Sequence, residues 1–213
     1  MKLPLYDGSP QNKMDSYSRI SSSRTSSSTW GGADYDELCK GVINYYSFNL
    51  CDLHGHVSVS DAVHTLYCQI DAITTDLETQ SGNRIGRLYI GKTFVHRKKR
   101  IPFNPMDPNT FTKSGISSRW GKHKATYHGM VVLGVITREI AATLGFEDGP
   151  EGIRKWRSKQ EKCVLEIEKW LQHCFRDDGR FSHGAYHAGN RTEGGAVGYV
   201  IYLCFSYLDE RRA

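Results

Sequence analysis

The sequence predicts a mixed α/β (α+β) domain, a small sheet of three to four strands flanked by helices, behind a disordered N-terminal tail. Three observations point there. Runs rich in β-branched and aromatic residues recur at 65–73, 87–95, 130–137 and 196–207. Segments with apolar residues at helical spacing lie around and between them. The hydrophobic fraction, 38% of 213 residues, suits one well-packed core and hardly two.

Residues 1–33 read as tail. Between Ser16 and Thr29 stand eight Ser, two Thr and two Arg, with almost nothing to bury, so ordering entropy is not offset. Residues 36–48 place Leu38, Val42, Tyr45 and Tyr46 at helical spacing, so 34–61 reads as a helical extension and 62–207 as the main domain. The runs 65–73 (T-L-Y-C-Q-I-D-A-I) and 87–95 (R-L-Y-I-G-K-T-F-V) are expected strands, with the polar stretch 74–86 as the long loop of their hairpin. Residues 101–114 hold three of the six prolines and are expected to be irregular. A helix is expected over 117–127, a buried strand over 130–137, and a helical turn over 139–144 stopped by Gly145. Pro150 opens the longest helical signal, whose stripe is Val164, Ile167, Leu171 and Cys174 and whose stop is Gly179. Residues 196–207 follow Gly194-Gly195 and read as a final strand, with a buried helix as the alternative.

Six cysteines without a Cys-x-x-Cys pair exclude a disulfide scaffold, and no signal peptide opens the sequence, so a reducing intracellular setting is expected. The longest nearly apolar run, 196–208, is too short to cross a bilayer as a helix. The net charge of +5 is unevenly placed. From Lys92 to Lys124 nine basic residues face one acidic residue, Asp107, a local +8 that exceeds the chain total. Such a field suits a phosphate backbone, with Arg97, Lys98, Lys99, Arg100, Lys122 and Lys124 as the contacting cations. The 96–100 run also reads as a nuclear-import signal or as a solvated loop.

Gly86-Arg-Leu-Tyr-Ile-Gly91-Lys92-Thr93 fits the phosphate-loop pattern letter for letter. Its inner residues are strand formers, and the segment from Phe94 to Pro105 is basic and proline-broken, so the match reads as accidental. Cys51-Asp-Leu-His54-Gly-His56, with Cys39 upstream, is a candidate zinc cluster, but His-x-His suits a tetrahedral structural site poorly.

Thr65-Leu66-Tyr67 followed by Tyr89-Ile90-Gly91-Lys92-Thr93 resembles the paired tyrosine strands of the GIY-YIG nuclease superfamily, with Thr-Leu-Tyr where the family has Gly-Ile-Tyr. Gly115-Ile-Ser-Ser-Arg119-Trp-Gly-Lys-His123 is similar to that family's Arg-x-x-x-His helix, and Val164-Leu-Glu-Ile-Glu168-Lys-Trp-Leu171 to its glutamate helix. The resemblance spans about residues 62–207 and implies metal-dependent hydrolysis of DNA. By it, Glu168 would hold Mg2+ or Mn2+, Arg119 would grip the phosphate, and Tyr67 would act as general base. Tyr89, His123 and Lys92 would shape the environment of the water. The family's asparagine has no counterpart at the expected distance; Asn190, Ser182 and His183 are the candidates. The residues add their own support for Glu168, which falls inside an apolar stripe where a lone carboxylate is costly, whereas Glu166 falls between Lys162 and Lys169. The plainer readings are a structural ion pair for Glu168 and a solvated helix surface for Arg119 and His123. A non-catalytic nucleic-acid-binding module is the alternative function. Specificity would come from loops such as 74–86, from a dimer or from an accessory partner.

Overall fold

The computed structural model describes residues 46–146, 159–181 and 196–208. Its strands are β1 (Tyr46–Phe48), β2 (Ile85–Arg97), β3 (Phe111–Thr112), β4 (Gly129–Thr137) and β5 (Ala196–Tyr207). Its helices are α1 (Val59–Ser81), α2 (Ser114–His123), α3 (Arg138–Thr143) and α4 (Lys159–Cys174). The strands form one sheet in the order β1-β4-β5-β2-β3. β1 runs parallel to β4, and every other neighbouring pair is antiparallel. The mixed α/β class holds. The sheet has five strands rather than three to four because two very short ones, β1 and β3, are added at its edges.

The largest departure from expectation is α1. Residues 65–73 are not a strand but the middle of a 23-residue helix. Across the longer window, Ala62, Val63, Leu66, Ile70, Ile73 and Leu77 are buried at three- and four-residue spacing, a helical stripe that outweighs the β-branched content of any short stretch. Both ends are capped. The Ser58 hydroxyl accepts from the Asp61 amide at 3.1 Å, and Gly82, at φ 67°, donates its N–H to the Glu78 carbonyl. The expected long loop over 74–86 is therefore helical as far as Ser81. Residues 46–48 are strand, not the end of a helix. The tail, most of the expected helix over 36–48, and Pro150 lie outside the described residues.

β2, β4, β5, α2 and α3 fall within a few residues of where the sequence placed them; α4 buries Val164, Ile167 and Leu171 of the expected stripe but leaves Cys174 exposed, and β3 lies in a segment expected to be irregular. β4 is buried at all nine positions and β5 at its eight central ones, as expected of strands covered on both faces. On one face Val95, Phe111, Ile116, Trp120, Met130, Val132, Val200 and Tyr202 pack together under α2. Alternation sends Leu88, Ile90, Val131, Leu133, Ile201 and Leu203 to the other face, where α1 and α4 pack. The phosphate-loop pattern lies wholly inside β2, with Gly91 paired to Tyr202 and Lys92 to Ile201, so it forms no loop. Among the described residues no helix is long and apolar enough to cross a membrane.

Candidate active site

β2 and β5 bring two tyrosines together. Gly91 is the register partner of Tyr202, and a Cβ on Gly91 would lie 2.5 Å from both Cζ and Oη of that ring. The phenol of Tyr202 thus crosses directly over the glycine, a path that any side chain there would block. Tyr89, two residues back on the same face, has its ring centre 6.2 Å from that of Tyr202.

α2 completes the group. Its start lies against β2 so closely that a Cβ on Gly115 would be 2.4 Å from the Phe94 carbonyl oxygen. Ile116 and Trp120 bury the helix, which leaves Arg119 and His123, four apart, on one flank beside the tyrosines. His123 Nε2 is 3.2 Å from the Tyr202 hydroxyl, and its ring lies 4.8 Å from Tyr89. Buried Tyr127 stands edge-on to His123 at 5.7 Å and holds that ring from behind.

Burial sets the charge states. It pushes the Tyr202 hydroxyl far above its ordinary value, and Tyr89 upward too, helped by the negative charge of Glu168. Burial lowers His123, and Arg119 and Lys122 lower it further, so the imidazole is neutral at pH 7. On α4, burial lifts Glu168 to about 7, against the opposing pull of Lys92 and Arg119. Alternation puts Lys92 on the face opposite Tyr89 and Gly91, the side where α4 packs. Glu168 is the group at which both sides meet.

The site residues expected from sequence thus divide. Tyr89, Arg119 and His123 lie within contact or electrostatic range of one another, and Glu168 is in electrostatic range of Tyr89, Arg119 and Lys92. Tyr67 does not join them. It lies on α1 with its ring stacked on Phe175 at 4.7 Å, and Phe175 stacks in turn on Phe181 at 4.2 Å. Tyr202 occupies the place beside Tyr89 that Tyr67 was expected to fill. Its signal, Val200-Ile201-Tyr202 in a β-branched run, was in the sequence but came last in chain order. Glu166 also differs from expectation, since its partner is the Trp170 indole N–H at 3.0 Å rather than a lysine. Glu161, on the same helix, is buried.

Among the described residues no three His, Cys, Asp or Glu side chains converge as metal ligands. His54 pairs with Asp52 and His56 with the Thr65 hydroxyl, while Cys39 lies outside the described residues, as do Ser182, His183 and Asn190. Glu168 is a single part-buried carboxylate. That donor fits a magnesium ion, which keeps several waters and takes further oxygens from phosphate. Of the expected nucleic-acid contacts, Arg97, Lys99, Arg100, Lys122 and Lys124 are exposed and Lys98 is half-buried. Comparison with family models, characterised proteins and solved structures finds no match for the chain.

Proposed function

We propose that this chain is a GIY-YIG-like nuclease, hydrolysing phosphodiester bonds in DNA with one Glu-held divalent metal. In this reading the two tyrosine strands are β2 and β5, so the strand that the resemblance puts first in the chain comes last here. The observation that carries the reading is the contact of Tyr89, Tyr202 and His123 beside Arg119, with Glu168 in electrostatic range.

Hydrolysis needs a water to lose a proton, charge on phosphorus to be offset, and the leaving oxygen to be stabilised. A phenol held protonated is a poor base by itself. Neutral His123 changes that, because Nε2 accepts the Tyr202 proton as the Tyr202 oxygen takes one from water. Arg119 offers a planar fork to the phosphate oxygens, and Lys92 favours the ionised form of Glu168 against the larger effect of burial. Glu168 would hold the divalent ion, which when bound supplies charge neutralisation at the leaving oxygen.

Plasmid nicking with and without magnesium tests the reading. Wild type should nick only with metal, and Tyr202→Phe should lose most of that activity while still binding DNA. Metal-independent DNA binding without nicking would favour the non-catalytic binding module.

A further inference from the structure

Between β2 and β3 the chain makes an excursion over residues 98–110 that is neither helix nor strand, yet is internally bonded. Its hub is buried Thr110. The Thr110 hydroxyl accepts from the Asn104 amide at 3.0 Å and faces the carbonyls of Asn104 and Asp107, both at 2.8 Å. Asp107 and Thr110 donate their amides to Asn104 and Asp107 in turn, and Lys98 ties the base to Thr110 at 3.2 Å. The Asn104 and Asp107 side chains cap the two turns. Phe103 anchors the lobe on buried Phe111, with ring centres 6.1 Å apart.

Two features of this lobe bear on what it contacts. Arg100 is the only non-glycine residue with a positive φ, 67°, among the described residues. An L side chain rarely adopts that conformation, and it persists only where the surrounding structure fixes it. Ile101, the next residue, and Met106, further along the lobe, are 39% and 38% exposed. Ile101 directly follows exposed Lys99 and Arg100 in the chain, and exposed Arg97 donates its Nε–H to the Ile101 carbonyl at 2.9 Å. Asp107 is the one acidic residue nearby, and one of its carboxylate oxygens is engaged in the turn.

Cations flanking exposed aliphatic side chains on a braced loop match a duplex, whose phosphates meet the cations while an apolar side chain enters between base steps. We propose that the 98–110 lobe is a DNA-bending wedge. Arg97, Lys99 and Arg100 grip the backbone, and Ile101 and Met106 lever open a step in the minor groove. This rests on the nuclease reading for the choice of DNA as ligand, and it adds a deformation of the substrate to that reading.

The test is made on the full chain without metal, using a 30-base-pair B-form duplex with dyes at its ends and 2-aminopurine at central steps. Wild type should bring the ends closer and raise 2-aminopurine fluorescence. Ile101→Ala with Met106→Ala removes two part-exposed side chains, and an unchanged thermal melt verifies that the fold persists. That variant should lose both signals while keeping the salt dependence of binding, because no cation is removed. Arg97→Ala, Lys99→Ala and Arg100→Ala together should reduce the salt slope by about 0.9 for each phosphate no longer neutralised. A double aliphatic variant that bends DNA like wild type overturns the wedge, as does equal binding to an RNA duplex of the same sequence without distortion. If wild type nicks plasmid yet bends nothing, the wedge falls and the nuclease stands. If it neither binds nor nicks, both fall.

Discussion

Replacing Glu168 with glutamine should make the protein more stable at pH 8 while abolishing cleavage. Burial raises this carboxyl from 4.5 to about 7, with Lys92 and Arg119 only partly opposing it. The folded state therefore holds its proton more tightly than the unfolded chain does. Stability from this group is fully present below pH ~4.5 and is lost as pH rises to about 7. The difference corresponds to about 3 kcal/mol by pH 8, at roughly 1.4 kcal/mol per pH unit. Glutamine has similar volume and cannot ionise, so Glu168→Gln should gain most of that amount at pH 8 and little at pH 4.5. Urea unfolding at both pH values in EDTA measures it. A variant less stable than wild type at pH 8, or shifted equally at both pH values, would refute the burial argument. Plasmid nicking by the same two proteins in magnesium should fall about a thousandfold, since an electrostatic term of ~4 kcal/mol would be lost. Magnesium should raise the melting temperature of wild type and not of the variant.

The remaining predictions separate geometry from chemistry. Tyr202→Phe should lower cleavage by about 10²- to 10⁴-fold, whereas Tyr67→Phe should leave it near wild type in the same nicking assay; the reverse result would restore Tyr67 to the site. Gly91→Ala drives a methyl into the Tyr202 ring and should cost about 1–3 kcal/mol in urea unfolding, with cleavage falling further than stability explains. Glu166→Gln keeps an acceptor for the Trp170 indole, so stability should move by less than about 0.5 kcal/mol and nicking should not change. At limiting magnesium, nicking should weaken as pH falls below 7 and recover with added magnesium, because proton and metal compete for Glu168. A decline that no amount of magnesium reverses would place the controlling group elsewhere.

Much of this molecule was legible in its sequence. The β-branched runs of β4 and β5 have a length and composition that only a buried strand accommodates. The four-residue spacing of Arg119 and His123 fixed their common flank once α2 formed, and the apolar stripe of α4 foretold an unusual carboxylate at Glu168. The nature of α1 was also encoded, in Ser58, Gly82 and a stripe from Ala62 to Leu77. Nine residues were too short a window, because β propensity and helical period compete over such a length and only the longer pattern separates them.

Which tyrosine stands beside Tyr89 was a different kind of question. Tyr67 and Tyr202 each follow an aliphatic residue, and local propensity treats them alike. Pairing of β2 with β5 is non-local. It depends on register, on the open path over Gly91, and on His123 arriving from α2 to meet the Tyr202 hydroxyl. The same holds for the charge states, since the shifts at Glu168, Tyr202 and His123 arise first from burial, which exists only once helices close on both faces of the sheet. Composition and local pattern set the elements and the chemistry available. Tertiary structure alone chose which of those groups meet, because chain order carries no information about contacts that are made across a sheet.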